Sequence, residues 1–325
     1  MTNQKIPTFI INLDEKPRKR WQALISQYKK ECLEAFFEMN KLFDQSTITK
    51  ISKYIALWTI KCYSISNNVL YKQELQGIAD ILDMSLENAI LFQLCYEMFS
   101  ACTSVIIHLN GSPIHFRTMD WGMSFLKKLT IELDFRKNDK TIFKAISWAG
   151  YIGIFTAMMP GRYSISLNYR CCGGSIFSNI KKALGLSWPA GYLIRRVLED
   201  NLDFKEVLNK LKRSPVISPC YIILGNCLGK SYIIVRDRDD CVSLKSENYL
   251  IQTNIDPNDL NPKNNILKSI ERRELAKKII KDNIKKWHDF EDISKSFLVS
   301  PIINEISIYY CLMLPKANLM VSSLL

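Results

Sequence analysis

Ten cysteines are the side chains of this chain that could supply a nucleophile or bind a metal. They stand at positions 32, 62, 95, 102, 171, 172, 220, 227, 241 and 311. No two of them form a CxxC pair, and no cysteine–histidine spacing is typical of a zinc site. Cys102 begins an apolar run, where a cysteine is usually a small buried side chain. Spacing alone therefore selects no nucleophile, and it predicts neither a metal site nor a cofactor.

Three charged side chains and one amide are further candidates for chemistry, although each also has a simple structural interpretation. Arg117 and Asp120 are three residues apart and could form an exposed ion pair worth at most ~1 kcal/mol. Asn254 stands two residues before an Asp-Pro step and could simply form a turn. Arg272 could be one more charge on a solvated helix. From spacing alone, these simple interpretations are favoured for all four residues.

The elements that would position such residues change in type at position 102. Over 51–65, apolar residues recur with the i, i+3, i+4, i+7 rhythm of an amphipathic helix. Ser85 can cap a second helix that would extend to Phe99. After residue 102 the pattern becomes a series of short β-rich runs, and Asn110-Gly111 is a strong hairpin signal.

Strands and helices are predicted along the rest of the chain. The strand-like runs are 102–109, 113–118, 129–135, 141–146, 153–158, 163–167, 220–224, 231–235 and 305–314. The helical patterns cover 189–198, 204–211 and 268–286. A helical N-terminal part followed by antiparallel strands with helices is an α+β arrangement.

Composition is that of a globular protein, and its charge is unevenly placed. The chain is 47% hydrophobic and 23% charged, with a net charge of +12. Residues 1–101 hold 12 basic and 11 acidic side chains, so residues 102–325 carry +11 of the total. Such a charge could bind nucleic acid, but no nucleic-acid-binding motif supports this, and we predict no nucleic-acid partner. A basic face on anionic lipid and an ordinary solvated surface both remain open, and no transmembrane helix is predicted.

Several motifs resemble those of the acid ceramidase and N-acylethanolamine-hydrolysing acid amidase family. Residues 92–106 are similar to the family's self-cleavage junction, and 111–122 resemble its arginine–aspartate motif. Further similar segments are 10–14 with 19–21, 133–136 with 143–145, 150–153, 235–238 and 252–256. The segments occur in the same order and cover nearly the whole chain, so chance similarity is excluded.

The resemblance implies a fold, a cleavage and a nucleophile. The fold would be the four-layer αββα core of the choloylglycine-type N-terminal nucleophile hydrolases. Autocleavage between Ala101 and Cys102 would give a helical alpha subunit, 1–101, that stays associated with a catalytic beta subunit, 102–325. Cys102 would then attack an amide through its thiol, with its own new α-amine as the base. A thioester on Cys102 would be hydrolysed by water.

The same resemblance assigns roles to four companions of Cys102. Arg117 would lie beside the nucleophile and favour its thiolate form. Asp120 would hold the α-amine, and Asn254 would help to build the oxyanion hole. Arg272 would be the family's late arginine.

Two departures from the family pattern bear on the site and its working conditions. Tyr169 occupies the position of a family glutamate that is tied to activation by acid, so we predict maturation and activity closer to neutral pH. Phe116 replaces a glycine before the arginine and is expected to narrow the mouth of the pocket. The cysteines that bridge the secreted relatives are missing, only one glycosylation sequon occurs, and no secretory signal is predicted. These features favour the cytoplasm or a microbially secreted effector over the lysosome.

The expected function is therefore hydrolysis of N-acyl lipids, with ceramide giving a sphingoid base and a fatty acid. Peripheral binding to a membrane or lipid aggregate would bring the substrate. One alternative is an N-acylethanolamine or other N-acyl amide hydrolase. A second alternative is an unprocessed lipid-binding pseudoenzyme, for which Tyr169 is the best argument.

Overall fold

The computed structural model describes residues 4–44, 61, 69–95, 101–109, 111–170, 187–246, 248–259 and 265–325. The amphipathic pattern over 51–65, apart from residue 61, lies outside these ranges. So do the residues 96–100 that precede the expected cleavage site, and the Cys171-Cys172 pair.

Runs of helices and runs of strands follow one another along the described chain. The strands are β1 Thr8–Asn12, β2 Ala101–Leu109, β3 Ser112–Asp120, β4 Thr130–Lys137, β5 Lys140–Trp148, β6 Thr156–Met159, β7 Tyr163–Tyr169, β8 Cys220–Asn226, β9 Ser231–Arg236, β10 Cys241–Ser246, β11 Tyr249–Gln252, β12 Ser307–Leu314 and β13 Leu319–Leu324. The α-helices are α1 Gln22–Gln27, α2 Lys29–Asp44, α3 Lys72–Leu82, α4 Leu86–Cys95, α5 Leu126–Leu129, α6 Ala190–Glu199, α7 Phe204–Arg213, α8 Ser269–Asn283 and α9 Phe290–Phe297. None of these helices has the length and apolar character needed to cross a bilayer.

The strands form two sheets. Eight strands pair in the order β1-β4-β5-β6-β7-β8-β9-β10, and five pair in the order β11-β2-β3-β12-β13. All neighbours are antiparallel except β1 and β4, which are parallel. The antiparallel connections allow short hairpins, such as the one that joins β2 to β3.

Side-chain alternation along the strands creates the layers. On β2, Ser104 faces the eight-stranded sheet, where its Oγ lies 2.9 Å from Ser166 Oγ of β7. The next residue, Val105, faces the other way and packs in one apolar cluster with Ile279 of α8 and Phe297 of α9. The inner face of the five-stranded sheet thus meets the other sheet, and its outer face is covered by helices.

Helices also cover the outer face of the eight-stranded sheet. Phe135 of β4 meets the Trp21 ring just before α1 with centroids 6.3 Å apart, and Tyr163 of β7 meets Phe204 of α7 at 6.2 Å. The four-layer αββα expectation is therefore confirmed.

The sequence patterns predicted most of these elements and missed several. Ser85 caps α4 as expected, accepting from the backbone N–H of Asn88. The first hundred residues were expected to be helical, yet β1 is a strand paired with β4. Short apolar runs such as β1 cannot be separated from helix by periodicity, and its partner is more than a hundred residues away. The strands β10, β11 and β13 and the helix α9 were also missed.

A buried charged cluster joins the residues before position 102 to those after it. Arg195 of α6 has no exposed surface, and its Nη1 and Nη2 lie 2.7 and 2.8 Å from the two carboxylate oxygens of Glu74 on α3. Arg195 Nε also donates to Glu199 at 2.8 Å, and its guanidinium lies 4.2 Å from the Tyr71 ring centroid. We call this set the Glu74–Arg195 cluster; its members are Arg20, Trp21, Tyr71, Glu74, Arg195 and Glu199.

The Glu74 carboxylate accepts hydrogen bonds from several neighbouring side chains. The Trp21 indole N–H donates to it at 2.6 Å and Arg20 Nη1 at 2.8 Å. Burial acts to raise the pKa of Glu74, but Arg195, Trp21 and Arg20 together hold that pKa below its usual value. The carboxylate is therefore charged in the folded protein at neutral pH, and its partners come from both parts of the chain.

Candidate active site

The hairpin of β2 and β3 places the candidate nucleophile beside the first arginine. Gly111 takes a left-handed conformation (φ +71°) in the two-residue turn, and Leu109 pairs with Ser112 across it. This register sets Cys102 opposite Met119 and Ser104 opposite Arg117. Residues opposite and diagonal on one face of a sheet lie within side-chain reach of each other. Cys102 and Arg117 are such a diagonal pair, on the face that meets the second sheet.

Arg117 is held in a single orientation against the thiol. Its Nη2 lies 3.2 Å from Cys102 Sγ, and its Nη1 donates to the carbonyl oxygens of Phe155 at 3.1 Å and Leu167 at 2.8 Å. The side chain has no exposed surface, so solvent does not screen its charge. A guanidinium so placed favours the thiolate over the thiol.

A second arginine approaches Cys102 from the opposite face of the sheet. Arg272 of α8 donates from Nη1 to the backbone oxygen of Cys102 at 2.7 Å and to Thr103 Oγ1 at 2.9 Å. Burial lowers the pKa of Arg272, while the neighbouring Asp120 acts in the opposite direction. The sulfur and the carbonyl oxygen of one residue therefore each contact a guanidinium.

Asn254 binds the backbone nitrogen of Cys102. The Cys102 N–H donates to Asn254 Oδ1 at 2.9 Å, and Arg272 Nη2 donates to the same oxygen at 2.9 Å. The Asn254 Nδ2 donates instead to the backbone oxygen of Tyr169 at 2.9 Å. These contacts fix which end of the amide faces each neighbour. In the uncut chain it is thus the oxygen of Asn254, an acceptor, that faces residue 102.

Asp120 lies at the edge of the same group. It pairs with Ala101 across the hairpin, accepts from the Ser307 hydroxyl at 2.5 Å, and lies 3.7 Å from Arg272 Nη1. Burial raises the pKa of Asp120, with Arg272 and Ser307 acting against that rise. Asp120 is thus the strand partner of Ala101, the residue before the expected cleavage, and its carboxyl group lies near the same guanidinium that binds the backbone oxygen of Cys102.

Comparison with known proteins agrees with this geometry. Residues 102–254 match the profile of linear amide C–N hydrolases of the choloylglycine hydrolase family, and residues 4–58 match the profile described as the beta subunit of N-acylethanolamine-hydrolyzing acid amidase. That profile uses the name beta subunit for the N-terminal segment, which is called the alpha subunit above. Acid ceramidase of Homo sapiens is 31% identical over 337 residues, covering 94% of this chain and 82% of the human protein.

The chain belongs to the acid ceramidase and N-acylethanolamine-hydrolysing acid amidase family. It is equally similar to an uncharacterised protein of Acanthamoeba polyphaga mimivirus, with 31% identity over 320 residues and 96% of that protein covered. Among solved structures, a Caenorhabditis elegans N-acylethanolamine-hydrolyzing acid amidase ortholog superposes with a TM-score of 0.59 at 26% identity. That match covers 66% of this chain and 93% of the solved one. The family is one of amidohydrolases, and the fold agrees with it.

The structure brings the candidate site residues of this family member together. Cys102, Arg117, Asp120 and Arg272 have no exposed surface, and Asn254 is 1% exposed. The simple interpretations of Arg117 and Asp120 as an exposed ion pair and of Arg272 as a charge on a solvated helix are therefore wrong. Asn254 does lie in a bend, and its side chain also binds the nitrogen of Cys102. The catalytic roles assigned by resemblance stay predictions, because the contacts are those of an uncut chain.

The expectation for Phe116 is also wrong. Its ring is fully buried on the outer face of the five-stranded sheet and stacks on Phe297 at 5.0 Å and Tyr310 at 6.3 Å. Arg117, the next residue, points to the opposite face, because successive strand residues alternate. Phe116 therefore fills the core under α9, away from the thiol.

Sequence reasoning missed a set of buried polar residues beside the site. His115, Ser164, Ser166 and Asn168 all lie between the two sheets and have no exposed surface. On β7 the polar residues recur at every second position, in phase with the inner face. That alternation could have predicted these buried polar residues, but only if the inner face of the sheet was already known to be polar. No group of three or more His, Cys, Asp or Glu in the described ranges could hold a metal ion.

Proposed function

We propose that the protein hydrolyses the amide bond of an N-acyl lipid, with ceramide as the favoured substrate, through Cys102 as an N-terminal nucleophile. The observation that carries the proposal is the set of contacts on one residue. The sulfur of Cys102 contacts Arg117, its carbonyl oxygen contacts Arg272, and its nitrogen contacts Asn254. Any buried residue needs partners for its backbone N–H and C=O, but here both partners are side chains, and the sulfur of a structural cysteine needs no guanidinium beside it.

Cleavage of the Ala101–Cys102 bond would make the nucleophile. Cys102 Sγ adds to the carbonyl carbon of Ala101, the C–N bond breaks, and the nitrogen leaves as an α-amine with the thiol proton. Water then hydrolyses the thioester and releases residues 1–101 from the new terminus. The match to the amide hydrolase profile begins at Cys102, which supports this division.

Substrate hydrolysis would repeat the same chemistry on a lipid amide. The α-amine takes the thiol proton, the sulfur attacks the acyl carbon, and the proton is given to the leaving sphingoid nitrogen. Arg117 would stabilise the thiolate, and Asn254 and Arg272 would orient residue 102. For Asn254 to supply an oxyanion-hole N–H, its amide must turn away from Tyr169 once the chain is cut.

The uncut chain is closed to substrate. Cys102 has no exposed surface and Ala101 is 3% exposed, so an acyl carbon cannot reach the sulfur in this state. Cleavage would have to expose the thiol before a substrate amide could reach it. The uncut form is thus an inactive precursor in this proposal.

The substrate class is tested by comparing two lipid amides on the same preparation. We expect kcat/KM for ceramide to exceed that for palmitoylethanolamide by at least ~10-fold, since pocket contacts worth about 1.4 kcal/mol give that ratio. The assay uses vesicles with and without phosphatidylserine, because the basic C-terminal part is proposed to bind anionic lipid. A preference for palmitoylethanolamide would reassign the substrate within the family, and no turnover of either would overturn the proposed function.

A near-neutral pH optimum is expected, together with a non-lysosomal setting in the cytoplasm or as a microbially secreted effector. An α-amine accepts a proton only when unprotonated, and its ordinary pKa is ~7.7–8.0. The positive charges of Arg117 and Arg272 disfavour its protonated form, whereas a negatively charged Asp120 would favour it. Activity should rise as pH increases from about 5 toward 7, because the unprotonated fraction of the amine grows over that range. The measurement is turnover against pH, and a maximum near about 4.5, as for a lysosomal enzyme, would contradict both statements.

The two parts would stay together after cleavage without a covalent link. The Glu74–Arg195 cluster supports this, because the ion pair of Arg195 with Glu74 and the hydrogen bond that the Tyr71 hydroxyl donates to Glu199 both join one part to the other. Apolar contacts such as Trp21 with Phe135 cross the same boundary.

A further inference from the structure

The buried polar residues between the sheets form one connected chain of hydrogen bonds. His115 of β3 lies with Nδ1 3.0 Å from Ser164 Oγ and Nε2 2.9 Å from Ser166 Oγ, both on β7. Ser166 Oγ lies 2.9 Å from Ser104 Oγ of β2, and Ser104 Oγ lies 2.9 Å from Asn168 Oδ1. The chain therefore crosses between the sheets and ends beside the catalytic group.

The direction of every bond in this chain can be derived from its Asn168 end. Asn168 Nδ2 donates to the backbone oxygens of Gln252 at 2.9 Å and Thr253 at 3.3 Å, so its Oδ1 must be the atom that faces Ser104. Ser104 has one hydroxyl proton and gives it to Asn168. Ser166 must then donate to Ser104, which leaves Ser166 only as an acceptor for His115.

These assignments fix the protonation of His115. Nε2 must carry a proton to donate to Ser166, and in a neutral ring Nδ1 is then the acceptor from the Ser164 hydroxyl. The ring is fully buried, and burial together with the nearby Arg117 charge lowers the pKa of His115 to about 3. The imidazole is consequently neutral at any pH at which the protein would work.

The chain ends on the groups that hold the site in place. Arg117 Nη1 donates to the carbonyl oxygen of Leu167 at 2.8 Å and lies 3.5 Å from Asn168 Oδ1. The backbone that Asn168 Nδ2 holds, residues 252–253, leads directly into Asn254, which binds the Cys102 nitrogen. An orientation set at His115 is thus passed to two partners of Cys102, Arg117 and Asn254.

We propose that His115, as a neutral imidazole protonated on Nε2, is a positioning residue that orients the Ser164–His115–Ser166–Ser104–Asn168 chain and through it Arg117 and Asn254. The proposal rests on the proposed function, because what is positioned is the amidase site. His115 itself touches neither the thiol nor the substrate in this assignment.

Two substitutions at His115 separate positioning from packing. His115→Leu removes both hydrogen bonds, whereas His115→Gln retains one amide donor for Ser166 and one acceptor for Ser164. We expect His115→Leu to lower kcat ~10–100-fold with KM changed by less than about threefold, and His115→Gln to recover most of the loss. Ser166→Ala, which cuts the chain one step later, should resemble His115→Leu, and the double variant should be no worse than either single one.

The matched control is His108, on the same hairpin. His108 Nε2 also lies 2.8 Å from a serine hydroxyl, that of Ser231, but at the far end of β2. His108→Leu should leave kcat within about threefold of the unmodified protein. Thermal melting of each variant shows whether it is folded, and Ser166→Ala with His115→Gln keeps the test decisive if His115→Leu does not fold.

Long-range 1H–15N spectra of protein labelled at its three histidines measure the tautomer directly. We expect the His115 signals, assigned by their loss in His115→Gln, to show a neutral Nε2–H ring that does not titrate between about pH 5 and 8. Three results would overturn the positioning role alone: a His115 ring protonated on Nδ1, a His115 ring that titrates in that pH range, or a kcat of His115→Leu equal to that of an active unmodified protein. An unmodified protein that neither cleaves nor hydrolyses would instead overturn the proposed function and this role with it.

Discussion

Cys102→Ala is expected to remain one uncut polypeptide and to lose more than ~10³-fold of the amidase activity. The thiol is the group that attacks both the Ala101 carbonyl and the substrate amide in the proposed mechanism. Alanine retains the buried β2 position but has no nucleophile for Arg117 to activate. Intact mass spectrometry after incubation across pH reports the cleavage, and release of fatty acid from ceramide reports the activity.

A second buried strand cysteine provides the control for this substitution. Cys220 of β8 is 2% exposed, so Cys220→Ala removes a sulfur from a similarly buried position outside the candidate site. That variant should cleave and turn over substrate like the unmodified protein. An unmodified chain that stays in one piece yet hydrolyses lipid amides would refute the N-terminal nucleophile mechanism.

Arg195→Met is expected to be the most destabilising single change outside the candidate site. Removing the guanidinium leaves Glu74 buried with Arg20 as its remaining cationic partner, and Glu199 loses its bond to Arg195 while keeping the one from the Tyr71 hydroxyl. Breaking a buried ion pair by removing one partner typically costs ~3–5 kcal/mol of unfolding free energy. Urea unfolding in the Cys102→Ala background measures this without cleavage complicating the transition.

The neighbouring arginine is a matched control. Arg196 is next on α6, its side chain is 50% exposed, and its Nε lies 2.9 Å from Asp200. Arg196→Met should change the unfolding free energy by at most ~1 kcal/mol, as for other exposed pairs. In the matured protein, size-exclusion chromatography should show residues 1–101 retained in Arg196→Met and partly released in Arg195→Met. Equal retention in both would show that the Glu74–Arg195 cluster does not hold the two parts together.

The non-covalent association of residues 1–101 with residues 102–325 should weaken as the pH falls. The pKa of Glu74 is held below its usual value in the folded protein. The stabilisation from this group is therefore fully present above the ordinary glutamate pKa of ~4.3 and is lost as pH falls through the lower folded value. The two parts should co-elute at neutral pH and begin to separate only in strong acid, and separation on raising the pH would contradict this.

Much of the fold could be predicted because its signals are local. The β-rich runs at 102–109 and 163–167 and the Asn110-Gly111 turn signal each act within a few residues, and the strands there were found. β1 was not found because a five-residue strand is stabilised by β4, far along the chain. Likewise, the pairing that places β12 between β3 and β13 follows from contacts that no local pattern contains.

For the candidate site, the sequence by itself determined the family and predicted the nucleophile and its companions, because these are carried by contiguous motifs. Only the tertiary structure decided that Arg117 and Arg272 meet Cys102 from opposite faces, that Asn254 presents its oxygen, and that Phe116 points away. It also decided that His115 stands at the head of a buried hydrogen-bond chain. The physical reason is that a side chain's face and partners depend on strand register and on which layer covers each face. Those are set by residues distant in sequence.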